Sequence, residues 1–250
     1  MRYQAALRPD SWYSNRMKRG SDPQPDICRS IQLKSRSMPT QHMPLPWLKP
    51  ASTFPEVSNA WGRESDAPGL LAAGGDLSVS SLLRAYGSGV FPWFSEGQPI
   101  LWWSPDPRMV LKTSDFQVRR SLRQAIKRFV ADEHCEIRFD TAFQDVIVAC
   151  AQSPRRQQSG TWILPAMVQA YIHLHQAGHA HSVETWIDDR LVGGLYCVAI
   201  GKAVFGESMF TRVSDGSKIA LAALVAFCRE NGIESIDCQQ NTAHLATMGA

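Results

Sequence analysis

The chain has no apolar run approaching the ~20 residues that a bilayer-spanning helix requires. Its N-terminus lacks the apolar h-region of a secretory signal. None of its 6 cysteines forms a Cys-x-x-Cys pair or a metal-ligand spacing. Cys28, Cys135, Cys150, Cys197, Cys228 and Cys238 are therefore expected as reduced thiols, largely buried, in a cytoplasmic protein with no membrane contact. Internal repeats are lacking too, which excludes solenoids and propellers. A strong charge balance is missing only in the sum. Residues 1–50 hold 9 Lys/Arg and 3 Asp/Glu, against 17 and 20 in residues 51–250. The body is slightly acidic, so net charge makes no case for nucleic acid, and any such case rests on local clusters.

What is present divides in three. Residues 1–44 are rich in Arg, Ser, Pro and Gln without periodicity, and are expected to be a disordered extension. An upstream start, a basic tail and a targeting peptide are three readings of it. Residues 45–108 are dense in Pro, Gly and Trp and predict a small N-terminal domain. One helix is expected there, Asp76 to Tyr86, capped by Ser78 and burying Leu82, Leu83 and Tyr86. Residues 109–250 predict an α+β domain. Helices are expected over Gln117–Ala131, from a Thr141 cap to Gln152, from Pro165 to Gly178, over Ser217–Asn231 and over Thr242–Met248. Strands are expected at His181–Trp186, Leu191–Ile200, Ala203–Met209 and Glu234–Gln239, with a turn at Asp188-Asp189. Antiparallel strands, then a helix, then a strand make a mixed sheet flanked by helices.

Two segments end by presenting polar groups. Val204-Phe205 leads into Gly206, Glu207 and Ser208. In Ile236-Asp-Cys-Gln239 the period of two puts Ile236 and Cys238 on one face, Asp237 and Gln239 on the other. A carboxylate and an amide on one face can position and deprotonate an amine; alternatively, Asp237 satisfies a backbone donor at the strand's end. Arg119, Arg120, Arg123 and Lys127 fall on adjoining outer positions of a helix, flanked by Arg128: a solvated face or a phosphate track. His179 and His181 without a nearby third ligand are a weak metal signal, and no metal is expected. Arg84-Ala-Tyr-Gly-Ser-Gly89 imitates a pyrophosphate loop, but a helix precedes it and Phe-Pro-Trp-Phe follows, the wrong context for one.

Longer motifs run through the chain: Gly69-Leu-Leu-Ala-Ala-Gly-Gly-Asp-Leu77, Gly89-Val-Phe-Pro-Trp-Phe-Ser95, Leu101-Trp-Trp-Ser-Pro-Asp-Pro-Arg108, Gly160-Thr-Trp-Ile163, Gly178-His-Ala-His-Ser-Val-Glu184, Gly206-Glu-Ser-Met-Phe210 and Ile236-Asp-Cys-Gln239. In this order, from Leu45 onward, the chain resembles the leucyl/phenylalanyl-tRNA–protein transferases. The resemblance implies an acetyltransferase-like (GNAT-like) domain that moves leucine or phenylalanine from aminoacyl-tRNA to acceptor proteins beginning with arginine or lysine, marking them for degradation. An aminoacyl ester is already activated, so it implies no cofactor. Asp237 and Gln239 then stand at the reaction centre, with Asp237 polarising Gln239 or a water that takes the amine proton. Glu207 would hold the acceptor's cation or the substrate ribose, unless it pairs with Arg212. Leu195, Met209, Leu221, Leu224 and Ile236 would form the aminoacyl pocket, and most must also serve the core. Trp102, Trp162 and, more weakly, Trp93 would stack on the terminal adenosine of the tRNA rather than serve the core. Arg119, Arg120, Arg123 and Lys127 would follow its phosphates, extended by Arg155 and Arg156. A monomer is expected. A CoA-dependent N-acyltransferase and an inactive tRNA-binding remnant are the competing readings.

Members of that family continue beyond the point equivalent to Ala250, so the chain reads as C-terminally truncated. An unpaired edge beside the last strand and exposed apolar surface are the expected consequences.

Overall fold

The computed structural model describes residues 44–153, 163–240 and 242–250. The disordered extension expected over residues 1–44 lies outside them except for Pro44, as do Arg155, Arg156 and Trp162. One compact unit ends at Arg108 and a second comprises Met109–Ala250. No helix among the described residues is long and apolar enough to cross a membrane.

The first unit holds a four-stranded sheet in the order β1 (Trp47–Leu48), β2 (Leu70–Gly74), β4 (Leu101–Trp103), β3 (Phe91–Pro92). Its helix α1 spans Val79–Gly87, and the Ser78 side chain accepts from the Ser81 N–H as its sequence position predicts. Asp76 ties this turn to the preceding segment, accepting from Ser78 N at 2.8 Å and Ala51 N at 3.2 Å. Those hydrogen bonds, led by the Ser78 hydroxyl, hold its carboxyl down at about 2.

The second unit is built on a six-stranded sheet. Its order is β5 (Met109–Lys112), β10 (Ser235–Gln239), β9 (Ala203–Thr211), β8 (Arg190–Ile200), β7 (Ala180–Ile187), β6 (Cys135–Phe139). All neighbours are antiparallel except β9 and β10, so the sheet is mixed. Asp188 and Asp189, both at positive φ, form the β7–β8 turn, the chemistry a two-residue hairpin demands. The helices are α2 (Arg120–Ala131), α3 (Phe143–Gln152), α4 (Pro165–Gln176), α5 (Gly216–Glu230) and α6 (Ala243–Ala246).

Strand alternation sorts the side chains of β8 onto two layers. Leu195 and Cys197 enter a core shared with Leu221 and Leu224 of α5. Tyr196 faces the other way, edge-on to Phe143 of α3 and Tyr171 of α4. Gly193 lets α5 reach the sheet: a Cβ there would lie 2.6 Å from the Gly216 carbonyl carbon. Thr185 Oγ1 secures the same point by donating to Gly216 O at 2.9 Å. Each fully buried leucine or isoleucine of α5 contributes roughly 1.5–3 kcal/mol, which secures the helix that backs the site.

Three expectations need correction. The edge strands β5 and β6 escape the sequence reading. Cys-Glu-Ile-Arg-Phe alternates with charges and is half exposed, so its pattern is weak. The strand Ile236–Gln239 has no open edge, because β5 pairs with it on the side away from β9. Met248 is buried in the core and its carbonyl accepts from Gln117 N at 2.9 Å. Finally, Thr141 does not cap α3. Ala142 occupies the N-cap position, and Glu184 from β7 accepts from the Thr141 and Ala142 N–H groups that lead into the helix.

Candidate active site

β8 is buried over most of its length, but the neighbouring β9 is half exposed over the four residues Gly206, Glu207, Ser208 and Met209. This stretch is an opening in the cover of an interior strand of the sheet. The strand is also irregular there. Tyr196 pairs with Ser208 and Cys197 with Gly206, leaving Glu207 as the extra residue of a β-bulge. The bulge explains how Val204 and Met209, an odd number of residues apart, pack against the same core.

A second irregularity lies across the gap. In β10 the register against β5 shifts between Asp237 and Gln239, and Gln239 has φ +61°. β9 and β10 pair only at Val204/Ile236 and Phe205/Asp237. Past those pairs the two irregular residues meet through side chains: Gln239 Nε2 donates to Glu207 Oε1 at 2.7 Å. Tyr171 Oη reaches Glu207 Oε2 at 3.3 Å from α4. Ile236 and Cys238 pack on the α5 core, as their alternation predicts. Burial, with the Asp237 charge adding, pushes the Cys238 thiol up to about 12, which keeps it from acting as a nucleophile beside the site.

Asp237 and Gln239 are both nearly buried, 8% and 7% exposed, and adjacent in the site. Their connection differs from the expected one. Asp237 Oδ1 accepts from the backbone N–H of Gln239 at 2.8 Å, not from its amide. That bond holds the left-handed residue in place. The carboxylate hydrogen-bonded to the Gln239 amide is Glu207. Arg212, a possible partner of Glu207, donates instead to Leu191 O at 2.9 Å and lies over the Phe210 ring.

The five residues expected to form the aminoacyl pocket come together in one core. Leu195, Leu221, Leu224 and Ile236 are at most 4% exposed, and Met209 packs against them half buried. Leu195 and Met209 are direct cross-strand partners. These residues belong to the core that α5 forms with the sheet, whereas Glu207 is bonded to Gln239 and to Tyr171 of α4.

Trp102 is not a stacking platform. It is 0% exposed, its Nε1 donates to Gly74 O at 2.9 Å, and its ring stands edge-on to Phe54 at 4.8 Å. A motif tryptophan here is core because β4 is central in its sheet. Trp93 keeps an exposed part and lies 5.3 Å from the Trp103 ring. Arg119, Arg120, Arg123 and Lys127 are all exposed on or beside the first turns of α2.

Tyr171 and Glu184 were missed as partners. Tyr171 had a legible signal, a phenol on the apolar stripe Met167, Ala170, Tyr171, Leu174, where a buried hydroxyl needs a partner. His181 has its Nδ1 2.8 Å from Asp140 Oδ2.

A family model described as leucyl/phenylalanyl-tRNA protein transferase matches residues 110–250, and one for the N-terminal domain of the same transferase matches residues 75–106. A curated leucyl/phenylalanyl-tRNA–protein transferase of Albidiferax ferrireducens is 62% identical over 213 residues, covering 85% of this chain and 84% of the relative. Its namesake in Polaromonas sp. is 62% identical over 207 residues, 83% and 81% of the two chains. The one in Paraburkholderia xenovorans is 58% identical over 205 residues, 82% and 84%. A solved conserved protein of unknown function from Bacteroides thetaiotaomicron covers 56% of this chain and 53% of its own at 15% identity and a TM-score of 0.43. Likeness at that level assigns no fold, and the acetyltransferase-like expectation is left unconfirmed by it. Matches to both parts of the family and identities of 58–62% over most of the chain carry the assignment: the chain belongs to the leucyl/phenylalanyl-tRNA protein transferase family.

Proposed function

We propose that the chain transfers leucine or phenylalanine from aminoacyl-tRNA to the N-terminal amine of proteins beginning with arginine or lysine, as a cytoplasmic monomer, and so marks them for degradation. The observation that carries the mechanism is the hydrogen bond from Gln239 to Glu207 where β9 and β10 part. The amine attacks the ester carbonyl, a C–N bond forms, and the bond to the ribose oxygen breaks. The amine's proton ends on that oxygen. An amide is a poor base, but one whose N–H₂ donates to a carboxylate has a more electron-rich carbonyl. Gln239 Oε1 is then the acceptor that orients the amine N–H, and Glu207 supplies the polarisation. Asp237 holds the Gln239 backbone. The aminoacyl side chain enters between the parted strands towards Met209, with Leu195, Leu221, Leu224 and Ile236 behind it. Parallel strands that diverge next to a helix–strand unit also support an acetyltransferase-like domain at 109–250, with residues 45–108 as a separate N-terminal domain.

Trp93 is the remaining adenosine-stacking candidate among the described residues, and Trp162 is retained from the motif alone. The phosphate track rests on an electrostatic oddity. α2 has no acidic residue in its first turn and begins instead with Arg119, Arg120 and Arg123. Cations there oppose the helix dipole, at a cost of roughly 0.3–1 kcal/mol each. Helix stability does not explain them; an anion facing that end does. Replacing the three arginines with alanine is expected to weaken tRNA binding by roughly 1–3 kcal/mol at low salt and to flatten its salt dependence. An unchanged salt slope would reduce the cluster to a solvated surface.

The deciding assay supplies radiolabelled leucyl-tRNA and a peptide beginning with arginine. Transfer is expected, and phenylalanyl-tRNA should serve as well. Acetylation of the peptide from acetyl-CoA, with charged tRNA inert, would assign the chain to the ordinary acyltransferases.

A further inference from the structure

Tyr171 is fully buried, 0% exposed, yet carries a phenol where a phenylalanine would fill the same space. Its ring is fixed by packing: edge-on to Tyr196 at 5.5 Å, which is edge-on to Phe143 at 6.0 Å. The helix that carries it is fixed in turn, starting at Pro165 and burying Met167, Ala170, Tyr171 and Leu174 on one stripe. The hydroxyl therefore occupies one defined place, 3.3 Å from Glu207 Oε2. The other carboxylate oxygen of Glu207 takes Gln239 Nε2 at 2.7 Å.

A carboxylate held at one oxygen swings about its last torsion, which is soft. Held at both, it presents Oε1 to Gln239 in one orientation. Glu207 most needs that restraint, because it is the extra residue of a bulge, where the regular ladder does not set the direction of its side chain. We infer that Tyr171 is a positioning residue of the transferase reaction: its hydroxyl locks Glu207 so that Glu207 locks and polarises Gln239. The inference rests on the functional reading above. It places in α4, outside the segments that supply Glu207 and Gln239, a group on which turnover depends.

The test is Tyr171→Phe, which keeps the ring packing and removes only the oxygen. Turnover of leucyl transfer should fall roughly tenfold, the scale of one hydrogen bond to a charged group, while KM for leucyl-tRNA and the melting temperature stay near wild type. Because the tyrosine acts through Glu207, adding Tyr171→Phe to Glu207→Gln should slow that variant no further. A purely packing role would leave Tyr171→Phe at wild-type turnover, and that result overturns the inference, as does a loss that multiplies in the double variant. A second readout needs no activity. The side-chain amide protons of Gln239, followed by NMR, should shift and exchange faster in Tyr171→Phe, and unchanged signals overturn the inference. If the wild-type chain transfers nothing from charged tRNA, the functional reading fails with the inference built on it. The amide signals then still decide whether Tyr171 orders the Glu207–Gln239 pair.

Discussion

Gln239→Ala is expected to lower the turnover of leucyl transfer by about 10²-fold, with tRNA affinity retained. The amide donates to Glu207 at 2.7 Å, and in the proposed reaction its carbonyl is the acceptor assigned to the amine. Alanine removes both. Glu207→Gln should fall by a similar factor, because a neutral amide cannot supply the charge, and combining the two should cost little more than either. Asp237→Asn should be milder, within roughly tenfold, since an asparagine oxygen can still accept from the Gln239 N–H that Asp237 Oδ1 now holds at 2.8 Å. Single-turnover rates with saturating leucyl-tRNA separate these cases. Loss in Asp237→Asn matching that in Gln239→Ala would return the polarising role to Asp237 and sink the assignment to Glu207.

The largest effect on stability is expected at Glu184. This carboxylate is 0% exposed and lies at the start of α3. Its Oε1 accepts from Thr141 N at 3.0 Å, Ala142 N at 2.8 Å and Ser182 Oγ at 2.7 Å. Its Oε2 accepts from Trp186 Nε1 at 3.0 Å and from the Thr141 hydroxyl. One buried anion thus satisfies five donors and meets the positive end of a helix dipole. Glu184→Ala takes the acceptor from the buried Ser182 hydroxyl and from four part-buried donors, and should cost about 3 kcal/mol. Glu184→Gln keeps the shape but turns an N–H₂ towards other donors, and about 2 kcal/mol is expected. Denaturant midpoints at constant m-value measure both. A cost below ~1 kcal/mol for the alanine variant would mean that water replaces the carboxylate. Loss of the cap should also loosen Phe143 against Tyr196, and so reach the ring that positions Tyr171.

How much of this was legible differs by element. The Ser78 cap, the Pro165 start of α4, the Asp188-Asp189 turn and the long α5 each show in a few consecutive residues, and each stands where the sequence places it. The α2 helix starts three residues later than its apolar spacing suggests, with Arg119 as its extended N-cap. The polar face of Ile236–Gln239 was legible too, because alternation is a property of the strand itself.

The partners were not. Gln239 and Glu207 are 32 positions apart, and Glu184 and Thr141 are 43 apart. No local pattern announces the bulge that makes Glu207 the extra residue of β9. Trp102 looked like Trp93 in a motif of aromatics, until the placement of β4 between β2 and β3 made it core. Thr141 looked like a cap until a stronger acceptor arrived from another strand.

The sequence by itself determined the family, most helices, the β7–β8 hairpin and the polar residues Glu207, Asp237 and Gln239, since periodicity, capping and turn chemistry act over a few residues. Only the tertiary structure decided which carboxylate serves Gln239 and which serves α3. Hydrogen-bond satisfaction in a buried site depends on which groups the paired strands bring within 3 Å, a distance that chain order does not encode.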